Sequence, residues 1–148
     1  MLRIEETKGD LVISTDRARL ELDRVHEYLS VRSYWARGIP KDRLLRAVEN
    51  SLCVGVYQGT RQAAFARVIS DHSTFAYLCD VFVFEDFRGR TIGKWMVSWL
   101  QKLPLFDGVR RWSLFTLDAH GLYEQSGWRR LAHPERAMEI VRPYAVAP

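Results

Sequence analysis

The stretch that most constrains this chain runs from Thr74 to Lys94. It begins with Phe75, Tyr77, Leu78, Val81, Phe82 and Val83. That apolar run predicts a strand at the centre of a sheet, buried on both faces. It passes through Glu85-Asp86 into a loop that sets Arg88, Arg90 and Lys94 among Gly89, Thr91 and Gly93. A helix over about 91–102 follows, with Ile92, Met96, Trp99, Leu100 and Leu103 at helical spacing and Pro104 as its stop. Trp112 to Leu117 reads as the next strand. Two strands joined through a helix are parallel, so a mixed α/β domain is expected.

The flanking segments extend that pattern. Leu11 to Thr15 reads as a short strand, and Asp16 offers a helix N-cap. Ala18, Leu22, Val25 and Leu29 predict an amphipathic helix over 17–30. Gly38-Ile39-Pro40 breaks the chain, and a second helix is expected over about 41–50. Leu52 to Tyr57 and Ala63 to Ser70 read as antiparallel strands around Gln58-Gly59. Asp118 is a candidate N-cap for a short helix over 119–126, with Gly127 as its left-handed end. Leu131 and Met138 to Val141 read as parts of a closing strand pair.

Composition narrows the class. The 148 residues predict one domain over 1–148. No run is long and apolar enough for a transmembrane helix, and the N-terminus lacks a signal-peptide core. A cytoplasmic chain without a membrane partner is expected. Cys53 and Cys79 form no disulfide framework and sit in no Cys-x-x-Cys pair, so neither is read as a nucleophile. No His, Cys or acidic spacing suggests a metal site. A net charge of +4 permits an anionic partner. The basic residues are spread out, without a nucleic-acid motif, so no nucleic-acid partner is expected.

The loop at 85–94 is the place for an anion. The first amides of a helix have no intrahelical partner and carry partial positive charge. Glycine lets backbone approach a ligand closely. A phosphate or pyrophosphate fits there, with Arg88, Arg90 and Lys94 adding charge. Neither a Walker A nor a dinucleotide fingerprint is present.

Two motifs then make the chain recognisable. Arg88-Gly89-Arg90-Thr91-Ile92-Gly93 is similar to the Gln/Arg-x-x-Gly-x-Gly/Ala loop of the GCN5-related N-acetyltransferase (GNAT) superfamily, with Thr91 at the usual middle glycine. Downstream, Ser113 to Ala119 and then Gly121-Leu122-Tyr123-Glu124-Gln125-Ser126-Gly127-Trp128 resemble the family's fifth strand and following helix. There Trp128 replaces the usual Phe.

The resemblance implies an α/β fold of GNAT type. Its sheet is mixed and mostly antiparallel, with a splayed central strand pair flanked by helices. It implies acetyl-CoA as cosubstrate, no metal, and direct acetyl transfer to a primary amine of a small molecule or peptide. The rival is a non-catalytic acyl-CoA-binding regulatory module of the same fold. The pantetheine arm would pair near Val81, Phe82 and Val83. The pyrophosphate would lie on the backbone of Arg88, Gly89, Arg90, Thr91, Gly93 and Lys94. Tyr123 matches the tyrosine that protonates the departing sulfur.

For the base, Asp80 is the first candidate, because a carboxylate within an apolar strand needs either a shifted pKa or an ion-pair partner. Both readings stay open. Glu85 is the second candidate, and His120 a candidate proton relay. The acceptor site is implied between the first helices, where Tyr34 and Trp35 offer a recognition surface. Homodimers are common in such a family, and dimerisation stays open.

Overall fold

The computed structural model describes residues 3–144. Its centre is one six-stranded sheet in chain order. The strands are β1 (Glu5–Lys8), β2 (Leu11–Ser14), β3 (Leu52–Gln58), β4 (Arg61–Ser70), β5 (Phe75–Val83) and β6 (Arg111–Ser113). All neighbours are antiparallel except β5 and β6, which are parallel. Four helices flank the sheet: α1 (Leu22–Glu27), α2 (Lys41–Glu49), α3 (Ile92–Gln101) and α4 (His120–Glu124). No helix of the described residues is long and apolar enough to cross a membrane.

The core follows the sequence periods. In β3 and β4, Val54, Val56, Phe65 and Val68 are buried. From α2 and α3, Leu44, Val48, Met96 and Leu100 join the same cluster. Tyr28, in the wide turn (Tyr28–Arg32) that continues α1, stacks on Phe82 of β5 with ring centroids 3.9 Å apart.

Several expectations change. The helix expected from residue 17 is a single turn, Arg17–Arg19, capped by Asp16, and α1 begins only at Leu22. The chain is extended at Leu20, and the next backbone amide, of Glu21, donates to the Gln62 carboxamide oxygen at 2.8 Å. β1 was not expected. Its residues are all exposed and charged or polar, so no alternating pattern announces it. Asp118 does not cap α4; Ala119 stands at the cap, and its amide donates to Thr116 Oγ1 at 3.0 Å. β5 is not buried on both faces. Ala76, Leu78, Asp80 and Phe82 are buried, while Tyr77, Cys79, Val81 and Val83 between them are half-exposed. The closing strand pair is absent among the described residues. Leu131 and Met138 to Val141 are exposed and lie outside any strand.

The half-exposed face of β5 has a cause. Its ladder with β6 has only three pairs, Phe75↔Arg111, Ala76↔Trp112 and Tyr77↔Ser113. Beyond them the two segments part. On the other side, β4 pairs Phe65 with Phe82 and Arg67 with Cys79. Asp80 and Val81 therefore stand opposite the single residue Ala66, which makes a β-bulge. Asp80 takes φ +54°, a left-handed conformation that aspartate tolerates better than most side chains. A bulge bends its strand and adds twist, and this one lies just past the point where β5 leaves β6.

Candidate active site

The divergence of β5 from the segment after β6 opens a cleft of about 160 Å³. Tyr77 to Val81 form one wall. Phe115, Thr116 and Asp118 form the other, and Tyr34, Trp35 and Tyr123 also line it. The structure thus brings together five of the residues singled out from sequence: Tyr34, Trp35, Asp80, Val81 and Tyr123.

Tyr123 lies on α4, buried to 8% exposure. Its ring meets Trp128 edge-on at 6.0 Å. Trp128 donates to Gln101 Oε1 at 2.8 Å, and Gln101 donates to the Ser126 carbonyl at 2.7 Å. Gly127 makes the turn between them at φ +93°. This knot ties α4 to α3. Among the described residues, the Tyr123 hydroxyl has no hydrogen-bond partner. Burial pushes its pKa up from 10.0 to about 12, so it stays a proton donor across the physiological range.

Asp80 is not free. Arg67 Nε donates to its Oδ2 and Trp35 Nε1 to its Oδ1, both at 2.9 Å. Arg67 and Asp80 have 13% and 7% side-chain exposure, so this is a buried ion pair. Burial works against the charge of Arg67, but the Asp80 carboxylate beside it, with smaller help from Cys79 and Cys53, leaves its pKa raised. Of the two readings of Asp80, the ion pair is the one present. Arg67 was missed from sequence. The signal was available: an arginine within the apolar run Ala63 to Ile69 needs a counter-ion.

Glu85 is not brought to the cleft. It sits in the turn Glu85–Phe87 and accepts from Arg32 at 2.8 Å. Its own backbone amide and Arg32 hold its carboxyl below the usual value, which weakens it as a base. His120 lines a neighbouring cavity with Tyr123 rather than the cleft itself. Tyr34 bridges the cleft walls, because its hydroxyl accepts from the Leu117 amide at 2.7 Å. Burial raises the thiol of Cys79 to about 12 and that of Cys53 to about 11, so both stay protonated.

The anion loop joins the far end of β5 to α3. Gly89 has φ +84° and Thr91 φ +58°, and α3 has no side-chain cap. The amides of Ile92, Gly93 and Lys94 lack intrahelical partners by helix geometry. A Cβ on Gly93 would meet only Leu122 and Val83, both at 3.8 Å, so the packing does not require glycine there. Two of the three cations expected to serve an anion have other partners. Arg88 donates to the Val83 carbonyl at 3.1 Å and to the Tyr28 hydroxyl at 2.7 Å. Arg90 pairs with Asp10 at 2.6 Å. Lys94 is exposed and has no partner among the described residues.

Residues 22–128 match the profile of the Acetyltransferase (GNAT) family. The chain belongs to that family. A Gibberella zeae protein named as a putative acetyltransferase is 33% identical, aligned over 79% of this chain and 77% of the relative. A crystal structure from Xanthomonas campestris, titled a putative acetyltransferase of the GNAT family, is 42% identical. It superposes with a TM-score of 0.88 over 93% of this chain and 96% of its own. A Staphylococcus aureus structure titled a probable acetyltransferase shares the fold at TM-score 0.70 and 18% identity, over 89% of this chain and 98% of its own.

Proposed function

We propose that this GNAT domain transfers the acetyl group of acetyl-CoA directly to a primary amine of a small molecule or peptide. The cleft between β5 and the segment after β6, lined by Tyr123 whose hydroxyl has no partner among the described residues, carries this reading. The residues suit the cosubstrate. The β5 backbone at Val81 and Phe82 has no ladder on the β6 side, so it is open to a pantetheine arm, while the Val83 carbonyl already accepts from Arg88. Gly89 and Gly93 leave room for a pyrophosphate at the first amides of α3, and Lys94 is a free cation beside them.

Acetyl-CoA would supply an activated thioester. Tyr123 would hand its proton to the departing sulfur, a role that needs a neutral phenol. The amine would enter past Tyr34, Phe115 and Leu117, whose exposed apolar surface flanks the opening. Asp80, with both oxygens held, shapes the cleft through Trp35 rather than removing a proton. The ammonium would lose its proton to water in the open cleft.

The test is titration calorimetry with acetyl-CoA, then mass spectrometry of amines incubated with both. Binding plus acetylated product supports the proposal. Binding without product on any amine would assign the chain to the regulatory class. No binding by the folded protein would sink both readings.

A further inference from the structure

The chain carries 22 Lys and Arg. None of them lines the cleft between β5 and the segment after β6, and no His does either. The two charged groups that do are carboxylates, Asp80 and Asp118. Arg67 pairs with Asp80 at 2.9 Å and neutralises it. Asp118 is exposed, and its carboxylate has no partner among the described residues. Burial keeps Cys79 and Tyr123 protonated, so neither adds a charge.

The walls are aromatic. Tyr34 and Trp35 meet edge-on, with ring centroids 5.1 Å apart. Tyr77 and Phe115 meet across the cleft at 6.0 Å. The Leu117 amide holds the Tyr34 hydroxyl and Asp80 holds the Trp35 indole, so the first pair is fixed before any ligand arrives. Phe115 is nonetheless 75% exposed, apolar surface that a ligand would cover. The Tyr123 hydroxyl, on a side chain only 8% exposed, lines the same cleft without a partner.

Building on acetyl transfer in this cleft, we propose that the acceptor is an aromatic primary amine bearing no carboxylate or phosphate. Its ring lies among Tyr34, Trp35, Tyr77 and Phe115, and its ammonium faces Asp118. Aromatic faces attract a cation, and a free carboxylate does so more strongly. An anionic group on the same molecule would find no cation in the lining and would be repelled by Asp118. The size agrees, because a cavity of about 150 Å³ holds a benzene-sized body, and the cleft measures about 160 Å³. Asp118 is thus a specificity-determining residue, while Asp80 serves the walls.

Phenethylamine and phenylalanine, which differ by one carboxylate, test the assignment, with ethylamine as the amine without a ring. Each is titrated calorimetrically into the full chain, and each is then offered with acetyl-CoA while product is read by mass spectrometry. Phenethylamine is expected to bind and react best. Phenylalanine is expected to lose ~100-fold in affinity and in kcat/KM, the scale of an uncompensated like-charge contact. Ethylamine is expected to lose ~10-fold or more with its missing ring. Asp118→Asn, at an exposed position outside the core, is expected to weaken phenethylamine ~5-fold, in KM rather than kcat, and to narrow its lead over phenylalanine. Binding in that order without product would support the acceptor class and overturn acetyl transfer. Phenylalanine or ethylamine acetylated as well as phenethylamine would overturn the class and leave acetyl transfer standing. Failure of phenethylamine to bind the folded protein would overturn the class whichever other amine reacts, and so would an Asp118→Asn variant with an unaltered ranking.

Discussion

The two edges of β5 are built differently. Toward β4 it is laddered from Ala76 to Val83, and the one break in register is filled by the Asp80–Arg67 pair. Toward β6 the ladder stops after Tyr77, and the remaining edge faces a cleft. One edge holds the strand in the core; the other leaves its backbone groups for a ligand. The bulge at Asp80 connects the two, because the same residue that irregularly closes the first edge lies where the second opens. If that division is right, damage to the β4 edge is read in stability, and damage to the cleft edge is read in turnover.

The sharpest attack on the first edge is Arg67→Ala. It leaves the Asp80 carboxylate buried with Trp35 as its one side-chain donor. Removing one partner of a buried pair costs about 3–5 kcal/mol. Urea unfolding checks it, with the loss seen as a lower midpoint. Arg67→Met with Asp80→Asn is expected to recover much of the loss, because asparagine also tolerates the left-handed backbone and no charge is stranded. If Arg67→Ala were neutral, the pair would not be what holds the bulge.

On the second edge, Tyr123→Phe keeps the ring against Trp128 and removes only the unpartnered hydroxyl. Stability is expected to change little. Turnover is expected to fall by ~10²-fold or more, the range for loss of a positioned acid. Acetyl-CoA affinity should be retained. Equal turnover in Tyr123→Phe would remove the acid from the proposal while leaving the cleft.

The same contrast explains what could be read from sequence. Apolar runs rich in β-branched and aromatic residues carried β3, β4 and β5, and helical spacing of apolar residues carried α2 and α3. Tyr123 was legible from the residues around it, Gly121 to Trp128. The fate of Asp80 was not, since its partner Arg67 lies on another strand and pairs with it only through the bulge. Nor were the contacts of Arg88 and Arg90 with Tyr28, Val83 and Asp10, which are distant in the chain or lie across the turn. β1 escaped because an exposed edge strand buries nothing. Met138 to Val141 looked like a strand because Ile140 and Val141 are β-branched, and among the described residues it lies outside any strand.

Proton linkage separates the two edges at high pH. Tyr123 and Cys79 both face the cleft, and burial raises the first from 10.0 to about 12 and the second from 9.0 to about 12. The folded state therefore holds these protons more tightly than the unfolded chain. Their contribution to stability is complete below about pH 9 and is lost as pH rises toward 12. Urea midpoints should be flat from pH 7 to 9 and fall beyond it. With Asp80 engaged, turnover should rise with pH along the titration of the amine itself, and the rising limb should move when the amine is changed. A limb fixed near one pH for every amine would instead reveal a side-chain base.

The smallest effect concerns Thr91, the residue that departs from the family loop. A β-branched side chain at φ +58° costs about 1–2 kcal/mol in the left-handed region. Its hydroxyl offsets part of this by donating to the Arg90 carbonyl at 2.6 Å. Thr91→Gly removes the strain and gives back about 0.5–1 kcal/mol in backbone freedom of the unfolded chain. A net gain of about 0.5 kcal/mol is expected, seen as a higher urea midpoint at unchanged slope. Thr91→Ala keeps a Cβ at the same φ and loses the hydroxyl, so it should fall below the parent. If glycine destabilised the protein, the Thr91 hydroxyl would outweigh the strain, and the loop would be held by a side chain where the family uses the freedom of glycine.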